Sequence, residues 1–139
     1  MKTMTKLTAS FFAAVVGFAA VVSAQDAPPA APAAPKLPPV STKTGVTFTT
    51  DIKPIFDASC AKCHGAQRPG GGIVLTSLES TLKGGKDGKI LTAGDSTKGA
   101  LVMSLAHIGD PQSFMPKRAK ALTPEQIGLI RAWIEQGAK

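Results

Sequence analysis

Cys60-Ala61-Lys62-Cys63-His64 decides how the rest of this 139-residue chain is read. The spacing is C-x-x-C-H, the attachment pattern of c-type haem. Two thiols one helical turn apart can each form a thioether to one of the two vinyl groups of a haem. The histidine that follows then offers an imidazole nitrogen to the iron as proximal ligand. Cys60 and Cys63 are the only cysteines, and His64 and His107 the only histidines. A dithiol oxidoreductase would need its C-x-x-C in a βαβ setting, and no segment shows the sustained alternation of a strand. A tetrahedral zinc site would need all four of these residues, including the adjacent Cys63 and His64, which is an awkward arrangement.

Toward the N-terminus, Lys2 and Lys6 precede an uncharged apolar run from Leu7 to Val22. Val22-Ser23-Ala24 then places small residues at the −3 and −1 positions of a cleavage site. The run is short for a bilayer span, which needs roughly 20 apolar residues. The expectation is a signal peptide over 1–24, cleaved after Ala24, and a periplasmic location. Membrane contact arises only if the segment stays uncleaved. Asp26 to Ser41 carries six prolines in sixteen residues, a composition that favours a semi-rigid polyproline II spacer. The expected organisation is a Pro/Ala-rich linker over 25–44 and one folded domain over 45–139.

Phe48, Phe56, Phe114 and Trp133 are the only aromatics left in that domain, and the chain has no tyrosine. Small domains are marginal without an added staple, and two cysteines three residues apart cannot close a long loop. A large apolar macrocycle would supply the missing core. The balance of 16 Lys+Arg against 9 Asp+Glu is basic, yet export and the lack of an aromatic-basic platform argue against nucleic acid.

Three helices are predicted. Thr50 and Asp51 are candidate caps for one over 52–59, with Ile52, Ile55 and Phe56 on one face and Pro54 in the first turn. Ser96 is a candidate cap for a second through Leu101, Val102 and Leu105. The third has Thr123 as cap, Pro124 first, Gln126 completing a capping box, and Ile127, Ile130, Trp133 and Ile134 as its apolar face. Gly137 then stops it. A shorter turn of helix is possible over 77–82. The fold class is all-α, with long Gly-rich connections at 69–72 and 84–88. For the iron's second axial position the residues alone leave Met103, His107 and Met115 open. Met103 reads more readily as core packing, and His107 as a surface residue compensating a helix C-terminus.

The ordered set of motifs resembles the class I monohaem c-type cytochromes, and more closely the planctomycete-type cytochrome c domain. The stretches that carry it are Asp51 to Phe56, Cys60 to Gly65, Gly71-Gly72, Gly84-Gly85, Met115-Pro116 and Leu122 to Ala138. The resemblance spans residues 47 to 138 and departs at Lys117, where the family often has a second proline. It implies a cytochrome c fold of three to four helices wrapped around one covalent haem c. Met115 would be the distal ligand opposite His64, so the cofactor and metal residues are Cys60, Cys63, His64 and Met115, with no catalytic residue.

Family analogy also gives the Pro69 carbonyl to the free N–H of His64, and Arg68 to a haem propionate. Leu75, Leu101, Leu105 and Phe114 are expected to line the pocket. With both axial positions filled, such a protein carries single electrons and has no small-molecule substrate. The alternatives are the electron-accepting subunit of a periplasmic dehydrogenase and a ligand-binding haem protein with an open distal site. Lys62, Lys117, Arg118 and Lys120 are expected near the haem edge, where they would steer acidic redox partners.

Overall fold

Trp133 is fully buried, and the segments at Phe48 and Lys139 close around it. The structure, a computed structural model, describes residues 36–67 and 69–139; the expected leader, residues 25–35 of the linker, and Arg68 lie outside that range. Among the described residues five α-helices follow one another: α1 (Lys53–Ser59), α2 (Ala61–His64), α3 (Leu78–Lys83), α4 (Ala100–Leu105) and α5 (Pro124–Glu135). A wide π-type turn (Phe48–Ile52) leads into α1, and single 3₁₀ turns occupy Gly70–Gly72 and Pro111–Ser113. Among the described residues there is no strand, only isolated bridges between Gly85 and Gly88 and between Thr92 and Asp95. The class is all-α.

Helix α5 forms as its sequence dictates. The Thr123 side chain accepts from the Gln126 N–H and the Gln126 side chain accepts from the Thr123 N–H, satisfying two donors that the first helical turn leaves over. Its buried face of Ile127, Ile130, Trp133 and Ile134 meets the π turn, where the Phe48 ring lies 5.7 Å from Trp133 and 6.1 Å from Phe56. The Lys139 carbonyl accepts from both the Trp133 indole and the Phe48 N–H, each at 2.9 Å. Helix α5 thus meets the N-terminal part of the fold through the π turn, with Phe48 lying between Trp133 and Phe56.

Two caps differ from the prediction. The first helical stretch begins at Phe48, capped by the Thr47 side chain, while Asp51 returns a carboxylate to the Thr47 N–H at 2.9 Å. The Lys43 ammonium and that N–H hold the Asp51 carboxyl below the usual carboxylate range. The wide turn also accommodates Pro54, which has no N–H to give to a regular ladder. Ser96 does not cap α4, whose N-cap is Gly99 at φ +102°. Ser96 is instead buried against α5, its N–H donating to Glu135 at 3.0 Å and its hydroxyl accepting from Arg131 at 3.0 Å. Long-range partners outbid the local cap.

Residues 36–44, predicted as spacer, lie along α5. Leu37 packs on the core, the Ser41 N–H donates to the Gly128 carbonyl at 3.0 Å, and Arg131 donates to the Pro38 carbonyl. Gly128 makes this approach possible, since a Cβ there would stand 2.6 Å from the Pro39 carbonyl oxygen. Replacing a mid-helix glycine with alanine ordinarily stabilises by about 0.5–1 kcal/mol. Here Gly128→Ala is expected to give no gain and to speed tryptic cleavage after Lys43. A full propensity gain with unchanged cleavage would show that the segment does not depend on that contact.

Candidate haem site

A cavity of about 540 Å³ opens between α1–α2, the 70–75 segment, α4 and residues 115–119, within the range of about 300–1,000 Å³ usual for small-ligand sites. Cys60, Cys63, His64 and Met115 all line it, although Met115 comes from a different part of the chain. Ile73, Leu75, Ile90, Leu101 and Leu105 supply apolar walls, three of them as predicted. Phe114 is not among the lining residues. Its ring stacks on His107 instead, with centroids 4.9 Å apart and planes 5° from parallel.

The chain breaks at Cys60 between α1 and α2, and the Cys63 and His64 N–H groups both donate to the Cys60 carbonyl, at 3.0 and 2.8 Å. That single turn sets the two thiols and the imidazole on the same cavity. Both thiols are free, Cys60 buried and Cys63 exposed. Burial, with the neighbouring Cys63 adding to it, pushes the Cys60 thiol up to about 11.

His64 is oriented by a different carbonyl from the one family analogy gave it. Its Nδ1 lies 3.2 Å from the Ile73 carbonyl, whereas the Pro69 carbonyl is taken by the Gly72 N–H at 3.0 Å. A carbonyl only accepts, so Nδ1 carries the proton and the Nε2 lone pair is free for a metal. The cause of the reassignment is the tight turn through Gly71 and Gly72, with φ +64° and +75°, which closes on Pro69 and carries Ile73 back to the ring. The glycine run announced a turn, but which carbonyl it would present is a matter of register that composition does not encode.

Of the three candidates for the second axial position, Met115 lines the cavity, while Met103 and His107 are absent from its lining. The His107 Nε2 is bonded to the Met115 carbonyl at 3.0 Å. That also leaves it apart from Cys60, Cys63 and His64, and no group of three or more His, Cys, Asp or Glu among the described residues could hold a metal ion. Lys62, Lys117 and Arg118 stand exposed at the cavity; Lys120 is exposed beyond it. The residues present fit a haem. Two free thiols lie one turn apart, an imidazole is fixed in the tautomer a metal needs, a thioether is within the same cavity, and aliphatic walls surround them.

The family described as planctomycete cytochrome C matches residues 60–119, an interval that contains every residue lining the cavity except Ser59. The chain carries a c-type cytochrome domain. That domain is related to the planctomycete type, a family that implies covalently held haem c and electron transfer. No curated protein matches the chain. In structure it is similar to Kuenenia stuttgartiensis hydrazine synthase, at 26% identity and a TM-score of 0.48. That likeness covers 67% of this chain and 16% of the other.

Gly85 provides a test of how His64 is held. A Cβ there would lie 2.6 Å from Ile73 Cγ1 and 2.7 Å from the Gly71 carbonyl oxygen, so the 84–88 loop can close on the turn only with glycine. Gly85→Ala is expected to cost about 1–3 kcal/mol by overpacking and to speed exchange of the His64 Nδ1 proton, read by denaturation and NMR. Stability within about 0.5 kcal/mol of the parent, with unchanged exchange, would contradict this support role.

Proposed function

We propose that the protein is an exported single-electron carrier that holds one haem c through Cys60 and Cys63, with His64 and Met115 as axial ligands. The observation that carries this is the convergence of those four side chains on one apolar cavity. When bound, haem supplies a one-electron couple at its iron.

The chain's own residues do the rest. The Ile73 carbonyl keeps the proton on His64 Nδ1, and so leaves the Nε2 lone pair free. The Ser104 carbonyl accepts the Met115 N–H at 3.0 Å and fixes where that residue enters the cavity. Leu75, Leu101 and Leu105 exclude water, which lowers the local dielectric and strengthens the influence of nearby charges. A thioether ligand favours the reduced metal and a high potential. With both axial positions taken, small ligands are kept out. Export rests on the Lys2 to Ala24 pattern and leads to a periplasmic location with the segment removed after Ala24.

The exposed cations at the cavity supply the partner contact. None of Lys62, Lys117, Arg118 and Lys120 pairs with a carboxylate among the described residues. They leave a positive rim suited to acidic redox proteins.

The ferric protein is expected to show a weak near-infrared sulfur-to-iron band that is abolished in Met115→Ala, while the ferrous protein leaves CO unbound. Haem bands without that feature would replace Met115 as ligand. Electron transfer to an acidic partner should slow about tenfold from low to high salt. A flat dependence would remove the rim from the account. Co-purification with a catalytic subunit would convert the free carrier into an enzyme's electron acceptor.

A further inference from the structure

His107 is held in a backbone conformation that histidine rarely adopts. It follows α4 at φ +55°, with its N–H directed to the Ser104 carbonyl at 3.4 Å and the Ile108 N–H to the Met103 carbonyl at 3.0 Å. That pattern is a Schellman helix ending, and its left-handed residue is usually glycine because a Cβ is crowded there. A non-glycine residue in this region signals a demand from elsewhere in the structure.

The side chain shows the demand. The imidazole lies flat on Phe114, and its Nε2 reaches the Met115 carbonyl at 3.0 Å. Because the carbonyl only accepts, Nε2 must donate. The Met115 N–H meanwhile donates to Ser104 at 3.0 Å. Both backbone polar groups of Met115 are therefore tied to the end of α4, whose Leu101 and Leu105 line the same cavity. Between the two ties the chain makes a turn at Pro111–Ser113, capped by the Asp110 side chain.

We infer that His107 is the positioning residue for the distal ligand: its Nε2–H bond to the Met115 carbonyl, braced by Phe114, keeps the Met115 sulfur at the iron. This rests on the assignment of Met115 as ligand. It makes His107 a second-position support for electron transfer, with no contact to the metal of its own.

The test uses the full, haem-loaded chain and two substitutions. Asparagine tolerates left-handed backbone and places its amide nitrogen where Nδ1 lies, short of the carbonyl. Glutamine places its amide nitrogen near the position of Nε2. His107→Asn is expected to raise the population with the sulfur detached roughly two- to tenfold, the range for losing one net hydrogen bond. That would appear as a weaker near-infrared sulfur band, a lower midpoint potential and faster CO binding. His107→Gln should restore all three.

A folded His107→Asn protein that matches the parent overturns the inference. So does equal loss in both variants, which would assign the effect to ring packing. A parent band that Met115→Ala leaves intact overturns the ligand assignment itself, and this inference with it. Should His107→Asn fail to fold, ¹⁵N NMR of the parent decides: an Nε2 without a proton overturns the bond, and a protonated Nε2 in slow exchange supports it.

Discussion

The hydrogen bond between His64 Nδ1 and the Ile73 carbonyl is the constraint on which the site depends. It selects the tautomer, and with it which nitrogen is free for a metal. Much of the surrounding backbone exists to make that contact. The turn at Gly70–Gly72 reverses the chain, and the 84–88 loop closes on it with the Lys86 N–H donating to the Gly71 carbonyl at 2.9 Å. The Leu75 N–H donates to the His64 carbonyl at 2.9 Å and anchors the far side of the same segment. The histidine is thus gripped by backbone through both its ring and its main chain.

Met115 is gripped in a parallel manner from the opposite end of the sequence. Its backbone is bound at Ser104, in the last turn of α4, and at His107, just past the helix end. The two grips share a frame. Helix α5 buries Trp133 against Phe48, so α1 and the motif that follows it are set by the same packing that seats α4. Arg131 adds a polar clamp that reaches both Ser96 and the Pro38 carbonyl, fastening residues 36–44 to the helix. Such long-range hydrogen bonds place a helix more firmly than its own propensity does.

What was legible in the sequence follows from how local each signal is. The capping box of Thr123 and Gln126 and the stop at Gly137 are decided within a few residues, and α5 forms where they predict. The Cys60-to-His64 spacing and the Met115-Pro116 pair carry chemistry that survives without knowing the fold, and their side chains meet on one cavity. Ser96 looked like a cap because serine before a helix often is one. Its partners Glu135 and Arg131 are 39 and 35 residues away, beyond any local pattern. The Ile73 carbonyl and the His107 bond were hidden for the same reason: each is a backbone group brought to a ring by turns whose register depends on packing. Proline density in 26–41 suggested a spacer, but density alone does not tell whether the part from Lys36 onward has a groove to lie in.

The central claim is that this fold is built around a haem bonded to Cys60 and Cys63. Intact-mass spectrometry of protein purified from cells that export and mature c-type haem tests it most directly. The account predicts a chain beginning after Ala24 and heavier by one haem, with the added mass surviving acid-acetone extraction and both thiols resistant to alkylation. A chain mass without haem, with Cys60 and Cys63 open to alkylation or joined to each other, would contradict it.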